Sequence, residues 1–329
     1  MGREVYLDIR DGLWQKDIVD GTHDNFVFDF IADADWGGRV IFDVGSHVGY
    51  HAMAFSQLVG DRGKVYAFEP NTYNRNRLLI NLSRNEDLLG RVEVVDVAIS
   101  SVSGDAEFCF SPLVDSGESS GSFVSGSDTP LDTNIYELLG FKRVPVKTTT
   151  FEDLLPLHGV TDEPALIKID VEGAESAILD SNKSYLSRVK PDLLIELHNI
   201  SNILKCYKTL YSLGYSVEIV KKETAERLFV YAKHCYDYSS LDNYGSIIDV
   251  FSEKFVNLGL DAVSDKDAEI AELKSEILDC RSEYDLLELK YKNIEFEHEK
   301  MMNEGFFSEN KFINIFLCLL KSVRNFIRS

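Results

Sequence analysis

The sequence predicts a doubly wound α/β fold over residues 38–260, built on a mostly parallel sheet of seven strands, and three observations support this. Short β-branched apolar runs alternate with longer helical patterns from residue 38 to residue 233, the mark of strands joined by helical crossovers. Several of these runs are apolar throughout, as strands covered on both faces must be. The last two, 216–220 and 228–233, are too close in sequence for a helical crossover, so at least one runs antiparallel to the rest.

In chain order the strands are RVIFDVG, KVYAFEP, RVEVVDVA, ALIKIDV, DLLIELH, SVEIV and LFVYAK. Residues 1–37 precede them as an N-terminal cap of short elements. Phe110 to Pro130 is rich in Ser and Gly with little periodicity, which reads as a loop or lid. Ser201 to Leu213 reads as a helix, with Ser201 or Asn202 as its N-cap and Gly214 placed to stop it. From residue 262 the pattern changes. Val263, Ile270, Ile277, Tyr284 and Tyr291 recur every seven positions, and Leu273, Cys280, Leu287, Ile294 and Met301 recur in a second register. Two such registers make an a/d seam, so 262–303 is expected to be a coiled coil roughly 60 Å long that joins copies of the chain into a homo-oligomer. Residues 311–329 carry Lys311, Lys321, Arg324 and Arg328 with no acid, and their apolar side chains fall on one helical face. The expectation is a short amphipathic helix, too short to span a bilayer, that either lies on an anionic membrane face or packs on protein.

The chain has 329 residues and a net charge of −21. That excess of acid argues against nucleic acid as a partner, because phosphate backbones demand clustered Lys and Arg. Five cysteines (Cys109, Cys206, Cys235, Cys280 and Cys318) form no CxxC pair, so neither a disulfide framework nor a zinc cage is suggested. The N-terminus MGREVYLDIRDG carries acids where a secretory signal needs a basic flank and an apolar run. A cytoplasmic protein is expected, on the inner membrane face if the basic helix binds lipid.

Three segments carry chemistry. In IFDVGSHVGYHA, residues 41–52, a strand ends in Asp43 and a Gly45-x-x-x-Gly49 turn before a helix begins. Bare backbone at Gly45, Ser46 and Gly49 would admit the polar tail of a cofactor at a helix N-terminus, with Asp43 facing its amino group. The second strand ends in Glu69, 24 positions after Gly45, where an acid meets the hydroxyls of a ribose. A carboxylate accepts both hydrogen bonds of a cis-diol. The turn lacks the middle and last glycines of G-x-G-x-x-G, so a phosphate-free nucleoside fits better than a nicotinamide dinucleotide. At the third strand, Asp96 would reach an adenine amino group, or be only a solvated strand-end acid, while Ala98 would leave room for the ring. In ALIKIDVEGAESAIL, residues 165–179, Asp170, Glu172 and Glu175 gather where a strand meets its helix, at the sheet edge that binds ligands. Glu175 has an equally good reading as a helix-capping acid.

Taken together, FDVGSHVGY, VYAFEPNTYNRNRLLINLSRN, VAIS, TTTFEDLL, LIKIDVEGAE and LLIELH resemble the FkbM family of methyltransferases, in order and at family spacing over roughly residues 38–200. The resemblance implies a class I Rossmann-like fold, S-adenosyl-L-methionine as methyl donor, and O-methylation of a sugar or another small molecule. It departs from the family pattern at Ser46, His47 and His51, where Ala-Asn and Thr are usual. Methyl transfer to an alcohol needs alignment and removal of a proton. Asp170, alone or with Glu172, would orient or deprotonate the hydroxyl, with Glu196 as a substrate contact. His198 would serve equally as the base, its ordinary pKa near 6.5 suiting the task. A divalent cation on Asp170, Glu196 and His198 is an alternative that their spacing does not require, and the working expectation is no metal. A scaffold that keeps the donor pocket without turnover and a nicotinamide-dependent oxidoreductase are the rival functions.

Overall fold

Alternating strand and helix carry the chain across a single sheet that covers most of its core. The computed structural model describes residues 5–8, 18, 20, 23–31, 34–110, 123–124, 141–198, 200–222 and 227–234. The expected coiled coil at 262–303, the basic helix at 311–329, and most of the N-terminal cap and of the 110–130 loop lie outside them. In chain order come α1 (Asn25–Ile31), β1 (Val40–Val44), α2 (Tyr50–Val59), β2 (Lys64–Phe68), α3 (Thr72–Ser83), α4 (Glu86–Leu89) and β3 (Val92–Val95). After these the chain forms β4 (Ala98–Ile99), β5 (Gly104–Phe110), β6 (Phe123–Val124), β7 (Lys142–Thr149), α5 (Leu154–His158) and β8 (Leu166–Ile169). The described residues end with α6 (Glu175–Ser181), α7 (Lys183–Val189), β9 (Asp192–His198), α8 (Ile200–Ser212), β10 (Tyr215–Lys222) and β11 (Arg227–His234).

Seven strands form the main sheet in the order β10, β11, β9, β8, β1, β2, β3. All neighbours are parallel except at β11, which runs antiparallel to both β9 and β10. The sheet expected from the apolar runs is therefore the sheet observed. Strands β1 and β8 sit at its centre, and Ile41, Phe42, Leu166 and Ile167 are fully buried there. Phe42 faces the rings of Phe68 at 5.3 Å and Tyr66 at 5.5 Å. Ile41 joins Met53, Phe55 and Val65 in the other cluster. Each buried side chain of this size contributes about 2 kcal/mol, so truncating Phe42 to Ala would remove roughly 3–5 kcal/mol.

Two predicted elements differ in detail. RVEVVDVA is one strand in sequence but breaks at Asp96, β3 staying in the main sheet while β4 enters a second sheet of order β4, β7, β5, β6. The second sheet escapes the sequence reading because β7 carries Pro145 among charged residues and the Ser- and Gly-rich stretch follows β5. Helix α8 begins at Ile200, so Asn202 is inside it and not at its N-cap. Its side chain instead accepts the amide of Ser176 at 2.8 Å, satisfying the first turn of α6. Gly214, at φ +80°, ends the helix as expected.

At the N-terminus, residues 5–8 dock on α3 and its end. Asn85 accepts the Tyr6 amide at 2.9 Å and donates to the Tyr6 carbonyl at 2.7 Å, and Asn81 accepts the Asp8 amide at 2.7 Å. These carboxamides are buried, and the docked segment satisfies them.

Candidate active site

One cavity opens at the carboxyl ends of β1, β2, β8 and β9, where ligands bind in open α/β sheets. One wall is the turn after β1. There the left-handed conformation of Gly45 (φ +81°) and Gly49 (φ +91°) has an intramolecular cause. A Cβ on Gly45 would lie 1.9 Å from the carbonyl oxygen of Asp170, and one on Gly49 would lie 2.9 Å from Leu78 Cγ. The bare backbone expected to admit a ligand is required first by the protein's own close packing. Ser46 lines the cavity, but its hydroxyl donates to the Asp43 carbonyl at 2.6 Å.

Glu69, buried to 4% exposure, receives the His47 amide on Oε2 at 2.8 Å and the Asn71 amide on Oε1 at 2.9 Å. Burial outweighs these hydrogen bonds and pushes its carboxyl up to about 7. The Asn74 side chain binds the carboxylate as well, and of its about four acceptor positions one remains for a ligand's hydroxyl. Beside it, Phe68, Ala98, Ile99 and Phe108 line the cavity with apolar surface. Phe108 belongs to β5 of the second sheet, so that sheet builds part of this wall. This wall thus sets an acid with an open acceptor position beside apolar surface.

Two expected donor contacts fall elsewhere. Asp96 is 65% exposed and pairs with Arg75 at 2.6 Å, outside the cavity lining, which is the solvated strand-end position. Asp43 is fully buried and also outside the lining. Its closest cation is Lys168 at 3.6 Å, and neither of its oxygens accepts a hydrogen bond among the described residues.

The opposite wall is a charged cluster at the ends of β8, β9 and β11. Lys168, which the sequence reading left without a role, ties the site together. Its ammonium donates to the Gly45 carbonyl at 3.3 Å and to Asp170 at 3.1 Å, linking the two walls. Burial opposes its charge, but Asp170 and Asp43 overcome this and raise its pKa above the usual lysine value. In return, against the cost of burial, Lys168, His198 and Arg227 hold Asp170 well below the carboxylate range.

Asp170, Glu172 and Glu196 line the cavity together. His198 stands just behind them, its Nδ1 2.8 Å from Glu175 and its Nε2 3.3 Å from Glu172 and 3.5 Å from Glu196. Burial disfavours the imidazolium, yet Glu175 and Glu196, with Glu172, push its pKa up to about 11. The surrounding carboxylates thus favour the imidazolium form of His198, which disfavours it as a general base. Glu175 is fully buried, bound by His198 and by the amides of Gly173 and Asn202. It sits against the His198 ring at 2.8 Å. Burial raises Glu172, opposed by His198 and reinforced by Asp170, and burial and Asp170 raise Glu196 to about 7. Glu196 is bound by Nε of Arg227.

Ligand atoms of Asp170, Glu196 and His198 lie within 4.8 Å of one another. Lys168 and Arg227 share this cluster, each already paired with one of its carboxylates.

Backbone strain gathers at the same place. Among the described residues four non-glycine residues are left-handed, and three of them, Asp24, His47 and Glu172, line this cavity. Such conformations persist where the surrounding structure enforces them, often at functional sites.

Among known proteins, the chain is 31% identical over 182 residues to the hexuronic acid methyltransferase AglP of Haloferax volcanii, a match covering 55% of this chain and 65% of that relative's length. A crystal structure of a methyltransferase FkbM from Methylobacillus flagellatus superposes with a TM-score of 0.42 and 17% identity, covering 59% of this chain and 43% of that one. An S-adenosylmethionine-dependent O-methyltransferase from Thermotoga maritima superposes with a TM-score of 0.40 and 11% identity, covering 68% and 72%. Residues 43–217, more than half of the chain, match the methyltransferase FkbM domain, and the chain belongs to that family.

Proposed function

We propose that this chain is an S-adenosyl-L-methionine-dependent O-methyltransferase whose acceptor is a hydroxyl of a saccharide. The carrying observation is Glu69, a buried acid held by two backbone amides and Asn74 beside apolar surface, with an acceptor position open to a ribose hydroxyl. When bound, the donor supplies a methyl group on a sulfonium centre, ready for in-line displacement. The rest falls to the chain's own residues. Gly45, Ser46 and Gly49 shape the backbone that receives the donor's tail, Glu69 binds its diol, and Ala98 leaves room for its base. Asp170, kept ionised by Lys168, faces the cationic centre and orients the acceptor hydroxyl together with Glu172. Glu196 fixes Arg227 at the same wall.

A saccharide is favoured by the density of hydrogen-bonding side chains there and by the hexuronic acid named for the relative. Arg227, a planar cation in the cavity lining, suits an acidic sugar.

The test combines calorimetry with S-adenosylhomocysteine and transfer of labelled methyl to p-nitrophenyl β-D-glucuronide and p-nitrophenyl β-D-glucoside. The expected result is one bound nucleoside per chain and preferential labelling of the glucuronide. Binding of NAD in place of S-adenosylhomocysteine would overturn the donor assignment. Binding with no labelled glycoside would overturn the acceptor assignment alone.

A further inference from the structure

Proton removal is the step the charged wall serves least well. His198 is already a cation, and Asp170 is held as an anion by Lys168. A proton placed on Glu172 would weaken its pairing with the imidazolium 3.3 Å away. The cavity has another titratable pair, on a different wall and outside that cluster. His51, in the first turn of α2, and Asp24, just before α1, both line it. His51 Nε2 lies 3.4 Å from Asp24, and the two side chains are only 12% and 14% exposed. Tyr50 donates to the His23 carbonyl at 2.8 Å, which fastens the Asp24 segment to α2. Phe28, Tyr50 and Phe55 surround the imidazole ring at centroid distances of 5.1 to 5.9 Å. Asp24 is held left-handed, at φ +49°.

We propose that His51 is the general base of methyl transfer and that Asp24 is its positioning residue. His51 Nε2 lies 3.4 Å from the Asp24 carboxylate without a hydrogen bond among the described residues, and we place the hydrogen on Nε2, toward that charge, which leaves the lone pair on Nδ1. This inference rests on the methyltransferase reading with a hydroxyl acceptor. In the step, the acceptor oxygen forms its bond to the methyl carbon while the carbon–sulfur bond breaks, its electron pair returning to sulfur. The hydroxyl proton passes to Nδ1. The imidazolium that forms gains an ion pair with Asp24, whereas a proton on Glu172 would cost one. The groups that act on this imidazole are Asp24 and His23 from the N-terminal segment, Tyr50 from its own helix, and Asp170, whose charge acts on Asp24 from the end of β8.

Three measurements on the full chain test this. In nitrogen-15 spectra of the complex with S-adenosylhomocysteine, the His51 resonances, identified by their loss in His51→Gln, are expected to show the Nε2–H tautomer. Asp24→Asn is expected to abolish that preference, and an Nδ1–H tautomer in the unmodified chain overturns the proposal. With p-nitrophenyl β-D-glucuronide as acceptor, His51→Gln should lower kcat about 100-fold, while S-adenosylhomocysteine binds within about twofold of the unmodified chain. Asp24→Asn should cost about tenfold in kcat. Unchanged kcat in His51→Gln overturns the proposal. So does a product methylated on the carboxylate, recognised by its hydrolysis in mild base, because no proton then needs removing. Loss of S-adenosylhomocysteine binding by the unmodified chain would instead bring down the donor reading, and the tautomer of His51 would still be read from the free chain.

Discussion

The two walls of the cavity are built on opposite principles. At the donor wall one acid, Glu69, is held mainly by neutral amides, which offset only part of the cost of its burial, and its carboxyl rises to about 7. At the other wall Lys168, His198 and Arg227 interleave with Asp170, Glu172, Glu175 and Glu196, and most of the charges are fixed by their neighbours. Burial is similar on both sides. Dipoles hold the buried charge on one side and opposite charges hold most of them on the other, although Glu196 still rises to about 7 beside Arg227. A site made this way responds to pH at Glu69 and Glu196 and is insensitive at the imidazolium and ammonium.

The severest way to break this contrast is to remove the cation that links the walls. Lys168→Met would leave Asp43 and Asp170 without their buried counter-ion, and a loss of about 3–5 kcal/mol in denaturant unfolding is expected. A smaller loss would mean that the cluster relaxes toward water. Next comes Gly45→Ala, which sets a Cβ against the Asp170 carbonyl at a left-handed backbone position. It should destabilise by about 2–4 kcal/mol and weaken S-adenosylhomocysteine binding with it.

Glu69 sharpens the comparison through pH. Its folded-state pKa is raised, so the stability it contributes is full below its ordinary value near 4.5 and is lost as the pH rises through about 7. A diol needs the ionised acceptor, so S-adenosylhomocysteine should bind more tightly as the pH rises through the same interval. Glu69→Gln should bind it about 10- to 100-fold more weakly and flatten that profile. A wild-type affinity that is flat from pH 6 to 8 would remove Glu69 from the diol contact. The smallest effect belongs to Asp96→Asn, which removes an exposed carboxylate from a mostly buried Arg75 that keeps its bonds to the Glu69 and Pro70 carbonyls, and it should change stability by less than about 1 kcal/mol, with donor affinity unchanged.

Much of this was legible in order and periodicity. Apolar runs reveal strands because strands covered on both faces have no polar side, and the short spacing of the last two strands disclosed the antiparallel one. Gly45 and Glu69 were legible because both belong to a local strand-to-helix turn. Asp96 illustrates the limit: its distance along the chain suits an adenine contact, yet Arg75, brought over from α3, takes its carboxylate outward.

The sequence by itself determined the sheet, the placing of Glu69 and the Asp170 segment at its ligand-binding edge, and the family, because each is written in residues that are neighbours along the chain. The tertiary structure alone decided which charges are fixed and which can move. Lys168 reaches Gly45 across 123 positions, Glu175 meets His198 across 23, and Asp24 meets His51 only because the cap folds back over the sheet edge. Protonation depends on desolvation and on the sign of the nearest buried neighbour, and both are properties of packing, which no local pattern of residues specifies.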